Sequence, residues 1–121
     1  MKNSPILNTI LVIDDETSIL KVLKRFLSRN GYAVDIAADG EEGIRKIENN
    51  EYSLIITDIK MTGISGEQVF SYLRNEIKKT TPIVGMSGTP WLLEHIGFDA
   101  VLSKPYYMKE LLDLIGQLIE H

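Results

Sequence analysis

The chain of 121 residues contains no cysteine. This absence excludes a disulfide scaffold, a thiolate zinc site and a cysteine nucleophile. Long apolar runs are missing too, because the run from Ile10 to Ile13 stops at Asp14 and is too short for a signal-peptide core or a membrane span. We therefore expect a cytoplasmic protein with no membrane partner, of a length that suits one domain.

Basic residues are fewer than acidic ones, 13 against 17, and the net charge is −4. Adjacent basic pairs occur at Lys24-Arg25, Arg45-Lys46 and Lys78-Lys79, with no longer run. Because a nucleic-acid-binding protein usually presents a basic face, we do not expect direct binding of nucleic acid. What the chain does have is 44% hydrophobic and 25% charged residues, which is typical of a globular domain with a real core.

Short apolar segments alternate with apolar residues at helical spacing along most of the chain. The pattern predicts five strands joined by crossover helices, of which the fourth, from Trp91 to Ile96, is only a short one. This alternation indicates an α/β fold with a parallel sheet covered on both faces. Residues 1–8 are predicted to be a flexible lead. The predicted strands are Thr9–Ile13, Tyr32–Ala37, Leu54–Asp58, Pro82–Met86 and Ala100–Leu102.

Polar side chains stand where four of these strands end. Ligands of open parallel sheets bind beyond the carboxyl ends of the strands, so these side chains should share one pocket. The pocket would hold three carboxylates, one hydroxyl and one ammonium. The residues are Asp14 and Asp15 after the first strand, Asp58 after the third, Ser87 after the fourth and Lys104 after the fifth.

Three crowded carboxylates repel one another, so without a cation at least one pKa should rise. Mg²⁺ would relieve the repulsion, because it prefers oxygen ligands and typically joins one or two carboxylates to phosphate oxygens. Lys104 and Ser87 are suited to bind phosphoryl oxygens. Since a carboxylate can act as the nucleophile, the pattern predicts magnesium-assisted phosphoryl transfer onto an aspartate.

Each of these residues also has an ordinary structural explanation. Asp14 and Asp15 could cap the first helix, because acids are favoured at a helix N-terminus. Asp58 and Ser87 could serve turns, and a single lysine is usually a solvated surface charge. The prediction therefore depends on the joint pattern, since four such coincidences at four strand ends, in this order and with this chemistry, are improbable.

On these residues the chain resembles a response-regulator receiver domain, from about Thr9 to the end of the last helix. The resemblance implies a flavodoxin-like sheet in the order 2-1-3-4-5, a receiver domain over residues 9–121 and a cis peptide bond before Pro105. The motifs that carry it are Val12-Ile13-Asp14-Asp15-Glu16, Thr57-Asp58-Ile59-Lys60-Met61-Thr62-Gly63-Ile64-Ser65-Gly66, Met86-Ser87-Gly88 and Lys104-Pro105-Tyr106.

The resemblance also implies a role for each residue of the pocket. Asp58 accepts a phosphoryl group from a sensor histidine kinase or a phosphotransfer protein, in a reaction that needs Mg²⁺, and the domain then changes its affinity for an output partner. In this view the domain is not a turnover enzyme, because it catalyses only its own phosphorylation and dephosphorylation. The metal ligands are Asp14, Asp15, Asp58 and the backbone carbonyl of Lys60, and the phosphoryl ligands are Ser87 and Lys104.

The sequence departs from the family in three places. The stretch from Ser87 to Gly97 is shorter than usual, which shortens the fourth helix. In the family this helix usually forms the surface for output partners together with the fifth strand and the fifth helix, so output through that surface is in doubt. Val101 stands where the family usually has an aromatic residue, whose ring swings inward when the serine or threonine hydroxyl turns toward the phosphoryl group. Valine cannot make this movement, so we expect backbone shifts near Ser87 to carry the signal. Thr62 stands where a proline is usual, and Lys60, two residues after the acceptor, could reach the phosphoryl group or the metal.

Two other functions stay open at this stage. A magnesium-dependent phosphatase would use similar residues, but it usually needs a second acid two residues after the nucleophile, where this chain has Lys60. A degenerate receiver could act as a phosphate-independent binding module, which the intact set of pocket residues argues against. The sequence is equally compatible with a stand-alone receiver and with a piece of a longer regulator, and with a homodimer or a monomer.

Overall fold

The computed structural model describes residues 8–119. Strands and helices alternate along the whole of this range. The strands are β1 (Thr9–Ile13), β2 (Ala33–Ala37), β3 (Leu54–Asp58), β4 (Ile83–Ser87) and β5 (Ala100–Ser103), and the α-helices are α1 (Thr17–Arg29), α2 (Gly40–Asn49), α3 (Gly66–Ser71) and α4 (Met108–Ile119).

The five strands form one parallel sheet in the order β2-β1-β3-β4-β5. Both the predicted α/β class and the flavodoxin-like strand order are therefore confirmed. The register aligns Ile13 with Thr57 and Asp58 with Met86, so the last residues of the central strands lie side by side. The functional residues that follow those strands are gathered at this edge.

Alternation along each strand divides the core between the two faces of the sheet. Ile10 and Val12 of β1 pack on one face with the buried leucines of α1 and with α4. Leu11 and Ile13 pack on the other face with α2 and α3. Both faces are thus covered, which explains why β1, β3 and β4 consist almost entirely of buried residues.

Local signals in the sequence fix several of the helix ends. Asp39 caps α2 through a 2.8 Å hydrogen bond from the backbone N–H of Glu42. Ser65 and Gln68 form a capping box at the start of α3. After α1 the backbone turns through Gly31 with φ of 95°, a left-handed conformation that glycine adopts readily and that commonly follows a helix C-terminus.

The structure differs from the sequence predictions mainly in its helices. Residues 8–119 contain four α-helices, and the predicted fourth helix is a single 3₁₀ turn at Pro90–Leu93 instead of Trp91–Ile96. The segment between β4 and β5 is too short for a longer helix, so the predicted shortening of the fourth helix is confirmed. The third helix continues as a π-helix from Tyr72 to Glu76, which apolar spacing could not foresee.

Strands β2 and β5 each differ from their predicted ranges by one residue at one end, and β4 is shifted by one residue toward the C-terminus at both ends. The peptide bond before Pro105 is cis, as the resemblance implied. Apart from Asn8, the predicted lead 1–8 lies outside the described residues. No helix within residues 8–119 combines the length and the apolar character that crossing a membrane requires.

Candidate functional site

The predicted site residues meet at the carboxyl edge of the sheet. Asp14 directly follows β1, Asp58 ends β3, Ser87 ends β4 and Lys104 follows β5. Asp14 is fully buried, and Asp58 and Ser87 are each 6% exposed, whereas Asp15 is exposed. Adjacent aspartates therefore have opposite environments, because the chain leaving the strand points one side chain inward and the next one outward.

The three aspartates form one carboxylate cluster. One carboxylate oxygen from each of Asp14, Asp15 and Asp58 lies within 4.8 Å of the others. Oδ1 of Asp14 accepts a 2.9 Å hydrogen bond from the backbone N–H of Glu16, but Oδ2 of Asp14 is buried without a hydrogen-bond partner in the described residues. A buried carboxylate oxygen with no donor is costly, and a cation ligand would satisfy it.

The pKa of Asp14 reflects this environment. Burial raises the pKa from the ordinary 3.8 to about 6, and the negative charge of Asp58 adds to the rise. The hydrogen bond from Glu16 and the positive charge of Lys104 act in the opposite direction. The expected rise of one carboxylate pKa is thus confirmed, although burial contributes more to it than the predicted repulsion does.

Lys104 is the cationic partner of Asp58. Its ammonium Nζ donates a 2.7 Å hydrogen bond to Oδ1 of Asp58, whose side chain is almost fully buried. Partial burial tends to lower the pKa of Lys104, but the hydrogen bond and the charge of Asp58 outweigh this, so the pKa lies above its ordinary value. The ammonium thus stands where it can contact a group attached to Asp58.

The hydroxyl of Ser87 is engaged within its own turn. Its Oγ accepts a 2.9 Å hydrogen bond from the backbone N–H of Thr89 and lies 3.3 Å from the hydroxyl oxygen of Thr89. Ser87, Thr89, Asp58 and Lys104 all line one cavity of about 320 Å³. The sequence prediction had not included Thr89, since only the turn geometry brings it into the cavity.

The exposed rim of the site is formed by the loop after β3. The backbone N–H of Thr62 donates a 3.2 Å hydrogen bond to Oδ2 of Asp15. A proline, which the family usually has at this position, has no N–H and could not make this bond. Lys60 and Asp15 line the same cavity as Asp58, so the loop carrying the predicted carbonyl ligand does border the site.

The residues present are suited to a hard divalent cation. The cluster offers only oxygen atoms, which Mg²⁺ prefers, and one of them is buried without a donor. Three carboxylates and the ammonium of Lys104 leave two negative charges, which one divalent cation would balance. Thiolate and imidazole ligands, which softer metals favour, are absent from this cluster.

Comparison with known protein families identifies the family to which this chain belongs. The family model of the response regulator receiver domain matches residues 10–116. The chain is a member of the response regulator receiver family. The matched range includes every residue of the site, and it places the domain in two-component phosphorelay signalling.

Curated relatives of the receiver are longer proteins. The transcriptional regulatory protein ResD of Bacillus subtilis is 34% identical over 115 residues, which cover 91% of this chain and 47% of ResD. The alkaline phosphatase synthesis transcriptional regulatory protein PhoP of the same organism is 34% identical over 107 residues, or 84% of this chain and 44% of PhoP. The chain thus spans about half the length of the curated relatives it matches.

Solved structures agree with the receiver fold over nearly their whole length. The response regulator TrrA of Thermotoga maritima, solved in complex with Mg²⁺–BeF, has a TM-score of 0.84 and 33% identity, covering 93% of this chain and 99% of TrrA. A CheY-like receiver of Methanospirillum hungatei has a TM-score of 0.87 and 30% identity, with 95% coverage of both chains. These likenesses support the flavodoxin-like fold.

Proposed function

We propose that Asp58 accepts a phosphoryl group from a sensor histidine kinase or a phosphotransfer protein in the cytoplasm, and that phosphorylation changes the affinity of the receiver for an output partner. The observation that carries the proposal is the carboxylate cluster of Asp14, Asp15 and Asp58, in which Asp14 has a buried oxygen, Oδ2, with no hydrogen-bond partner among the described residues. Oδ1 of Asp58 accepts a hydrogen bond from Nζ of Lys104, so a positive charge already lies beside the reacting carboxylate.

The chemistry is a direct displacement at phosphorus. A carboxylate oxygen of Asp58 attacks the phosphorus of the donor's phosphohistidine, the phosphorus–nitrogen bond breaks, and its electron pair returns to the imidazole nitrogen. The product is an acyl phosphate on Asp58, and water later attacks its phosphorus to release inorganic phosphate and the free carboxylate. No other substrate is converted, so the domain acts only on its own side chain.

Asp14, Asp15, Asp58 and the backbone carbonyl of Lys60 would hold the magnesium ion. When bound, Mg²⁺ supplies charge neutralisation for the phosphoryl oxygens and balances the excess negative charge of the cluster. Asp14 must be ionised to act as a ligand, so its pKa of about 6 leaves it mostly ready at neutral pH.

Ser87 and Lys104 would stabilise the transferred group once it is on Asp58. Lys104 exchanges its contact with the Asp58 carboxylate for a phosphoryl oxygen, and the charge-assisted hydrogen bond is kept. Ser87 donates its hydroxyl proton to another phosphoryl oxygen, and its Oγ, which accepts the 2.9 Å hydrogen bond from the Thr89 N–H, would draw that turn along as it moves toward the group. This rearrangement links the acceptor to the turn after β4.

The test is phosphorylation of the whole chain by acetyl phosphate in the presence of Mg²⁺, read by intact mass. We expect one phosphoryl adduct, and we expect its loss when the metal is chelated. The Asp58→Asn variant, which keeps the size and polarity of the side chain, should give none.

A folded protein that binds Mg²⁺ but forms no adduct would contradict the proposal. An adduct that persists in Asp58→Asn would place the acceptor elsewhere. Mg²⁺ binding is measured in parallel by calorimetry, so that a failure to bind the metal can be told from a failure to transfer the phosphoryl group.

A further inference from the structure

Asp15 is held in the carboxylate cluster by other means than its two neighbours. Asp14 is fully buried, and Asp58 is almost fully buried and hydrogen-bonded to Lys104. Asp15 is exposed, and none of the ion pairs among residues 8–119 involves it. Its Oδ2 instead accepts a 3.2 Å hydrogen bond from the backbone N–H of Thr62, 47 positions further along the chain. The orientation of this exposed carboxylate therefore depends on the loop after β3.

The loop that carries Thr62 is fixed on both sides of the donor. Met61 and Ile64 are partly buried and pack against the part of the core that lies beneath α2 and α3. The backbone N–H of Gly66 donates a 2.9 Å hydrogen bond to the carbonyl of Ile59, which closes the base of the loop. The N–H of Thr62 is thus already held in place before a metal ion binds.

The residue type at position 62 decides whether the bond to Asp15 can form. Every residue except proline has a backbone N–H, and proline is the residue that receivers usually have here. Thr62 therefore supplies a donor that the usual residue lacks, and it does so through the backbone and not through its hydroxyl. Since the family fold tolerates proline at this position, a proline substitution removes the donor without a change of fold.

A hydrogen bond to a metal ligand has two opposing effects on the affinity for the metal. It draws some negative charge on Oδ2 of Asp15 away from the ion. It also fixes a side chain that would otherwise rotate in solvent, which removes an ordering cost from metal binding. A carboxylate has about four lone-pair sites, and one N–H occupies only one of them. The orientation effect should therefore exceed the loss of charge.

We propose that the backbone N–H of Thr62 positions the carboxylate of Asp15 for Mg²⁺ and thereby raises the affinity of the site for the ion. The inference rests on the proposed role of Asp15 as a metal ligand, and it makes Thr62 a positioning residue that acts through Asp15. Partners that orient metal ligands typically contribute about tenfold to 100-fold to metal affinity. The bond to Asp15 is long and exposed, so we expect about fivefold.

Calorimetric titration of the whole chain with Mg²⁺ tests the proposal by comparing the wild type with two variants. Thr62→Pro removes the N–H and should weaken Mg²⁺ binding about fivefold. Thr62→Ala removes the hydroxyl but keeps the N–H, so its affinity should stay within about twofold of the wild type. Equal affinities of the proline variant and the wild type would overturn the proposal, and so would equal weakening in both variants.

A double substitution separates the orientation of Asp15 from a general distortion of the loop. In the Asp15→Ala chain the N–H of Thr62 has no carboxylate to hold. Adding Thr62→Pro to that chain should therefore change the remaining Mg²⁺ affinity by less than about twofold. A similar loss in both backgrounds would assign the effect to the loop itself and would contradict the positioning role.

Amide hydrogen exchange of Thr62, measured by NMR without metal, tests the bond directly and does not require the proline variant to fold. We expect the Thr62 N–H to exchange at least about threefold faster in Asp15→Ala than in the wild type, because its acceptor is lost. Equal exchange rates in the two chains would mean that the bond does not form in solution, and the proposal would then fail.

Phosphorylation by acetyl phosphate distinguishes this inference from the proposed function. Thr62→Pro should raise the Mg²⁺ concentration needed for half-maximal phosphorylation about fivefold. The rate at saturating Mg²⁺ should stay within about twofold of the wild type, because the acceptor Asp58 is unchanged. A wild type that binds Mg²⁺ but is not phosphorylated would contradict the proposed function and leave the calorimetric comparison valid. The same Mg²⁺ requirement in both chains would overturn the positioning role alone.

Discussion

At the scale of single residues, Asp14 is the point where stability and function oppose each other. Its carboxylate is fully buried, and one oxygen has no donor within the described residues. We expect Asp14→Asn to stabilise the metal-free chain at pH 7.5 by about 1–2 kcal/mol, because it removes a buried charge next to Asp58. The same substitution should weaken Mg²⁺ binding at least about tenfold.

Urea unfolding in the presence of a chelator measures the first effect, and calorimetric titration with Mg²⁺ measures the second. Asp15→Asn is the control for stability, because Asp15 is exposed and should change the free energy of unfolding by less than about 0.5 kcal/mol. A metal-free Asp14→Asn chain that is less stable than the wild type would show that the buried charge is compensated.

The same residue predicts a pH dependence. The pKa of Asp14 is about 6 in the folded chain and 3.8 in the ordinary state, so the folded chain keeps this proton at pH values where the unfolded chain has lost it. The metal-free free energy of unfolding should therefore fall as pH rises from about 4 to about 6, by the order of 2 kcal/mol.

Comparison with Asp14→Asn isolates this contribution, since the other titrating groups are shared. The difference in free energy of unfolding between the two chains should be small near pH 4 and should level off above pH 6. Mg²⁺ affinity of the wild type should fall as pH drops below about 6, because a proton then competes with the metal. A difference that does not vary with pH would contradict the pKa assigned to Asp14.

The grouping of these polar side chains at one edge of the sheet was predictable from the sequence, but their environments were not. Parallel strands bring their carboxyl ends to one edge, so Asp14, Asp58, Ser87 and Lys104 could be placed together by pattern alone. The sequence could not tell that Asp14 is buried while Asp15 is exposed. That difference depends on the direction in which each side chain leaves β1.

At the scale of secondary-structure elements, α3 is held close to the acceptor by a glycine. A Cβ atom built at Gly66 would lie 2.3 Å from the backbone carbonyl oxygen of Asp58 and 2.9 Å from Cα of Ile59. We expect Gly66→Ala to lower the free energy of unfolding by at least about 2 kcal/mol and to slow phosphorylation, because α3 or the acceptor backbone must shift.

Gly116→Ala in α4 is the matched control. Nothing lies within 4 Å of a Cβ atom built at Gly116, and alanine is the better helix former, so this substitution should stabilise the chain by about 0.5–1 kcal/mol. Urea unfolding compares the two variants. Equal effects of both alanines would mean that the close approach at Gly66 is not needed.

A second element-scale contact joins the end of the third helix to the sheet. Arg74 donates hydrogen bonds to the carbonyls of Lys79 and Thr81 and to Oδ2 of Asp99, which also accepts the N–H of Ile83. Arg74→Met removes the Arg74 donor from both carbonyls and leaves Oδ2 of Asp99 with the N–H of Ile83 alone, so we expect a loss of about 1–3 kcal/mol in the free energy of unfolding.

Lys109→Met tests whether loss of any ion pair would do the same. Lys109 is 84% exposed and pairs with Asp113 on the surface of α4, so its substitution should cost less than about 0.5 kcal/mol. Thermal or urea unfolding of both variants decides the matter. Similar losses would assign the Arg74 effect to net charge and not to its hydrogen bonds.

The elements were predicted from the sequence to different degrees. β1 was predicted residue for residue, because Thr9 to Ile13 is a compact apolar run that ends at a polar pair. The π-helix from Tyr72 to Glu76 was missed, because apolar residues at helical spacing look the same in α- and π-helical turns. The reduction of the fourth helix was predicted from length, but its 3₁₀ form and the burial of Leu93 within it were not.

At the scale of the whole molecule, the question is how a phosphoryl group on Asp58 reaches a partner surface. Val101 cannot make the usual aromatic switch, and a 3₁₀ turn replaces the usual helix between β4 and β5. Ser87 would couple the acceptor to this region, because its Oγ accepts the Thr89 N–H while its O–H can donate to the phosphoryl group. The signal should therefore travel through the backbone from residue 87 to residue 101.

Amide hydrogen exchange of the whole chain, with and without Mg²⁺ and beryllofluoride as a phosphoryl mimic, checks this route. We expect exchange to change by at least about twofold at residues 87–101, while the core amides of β1 and β3 stay unchanged. Asp58→Asn should abolish the difference, and Ser87→Ala should reduce it, because no hydroxyl then joins the phosphoryl group to the turn at Thr89. A phosphoryl-dependent change confined to other segments would show that output leaves the site by another path.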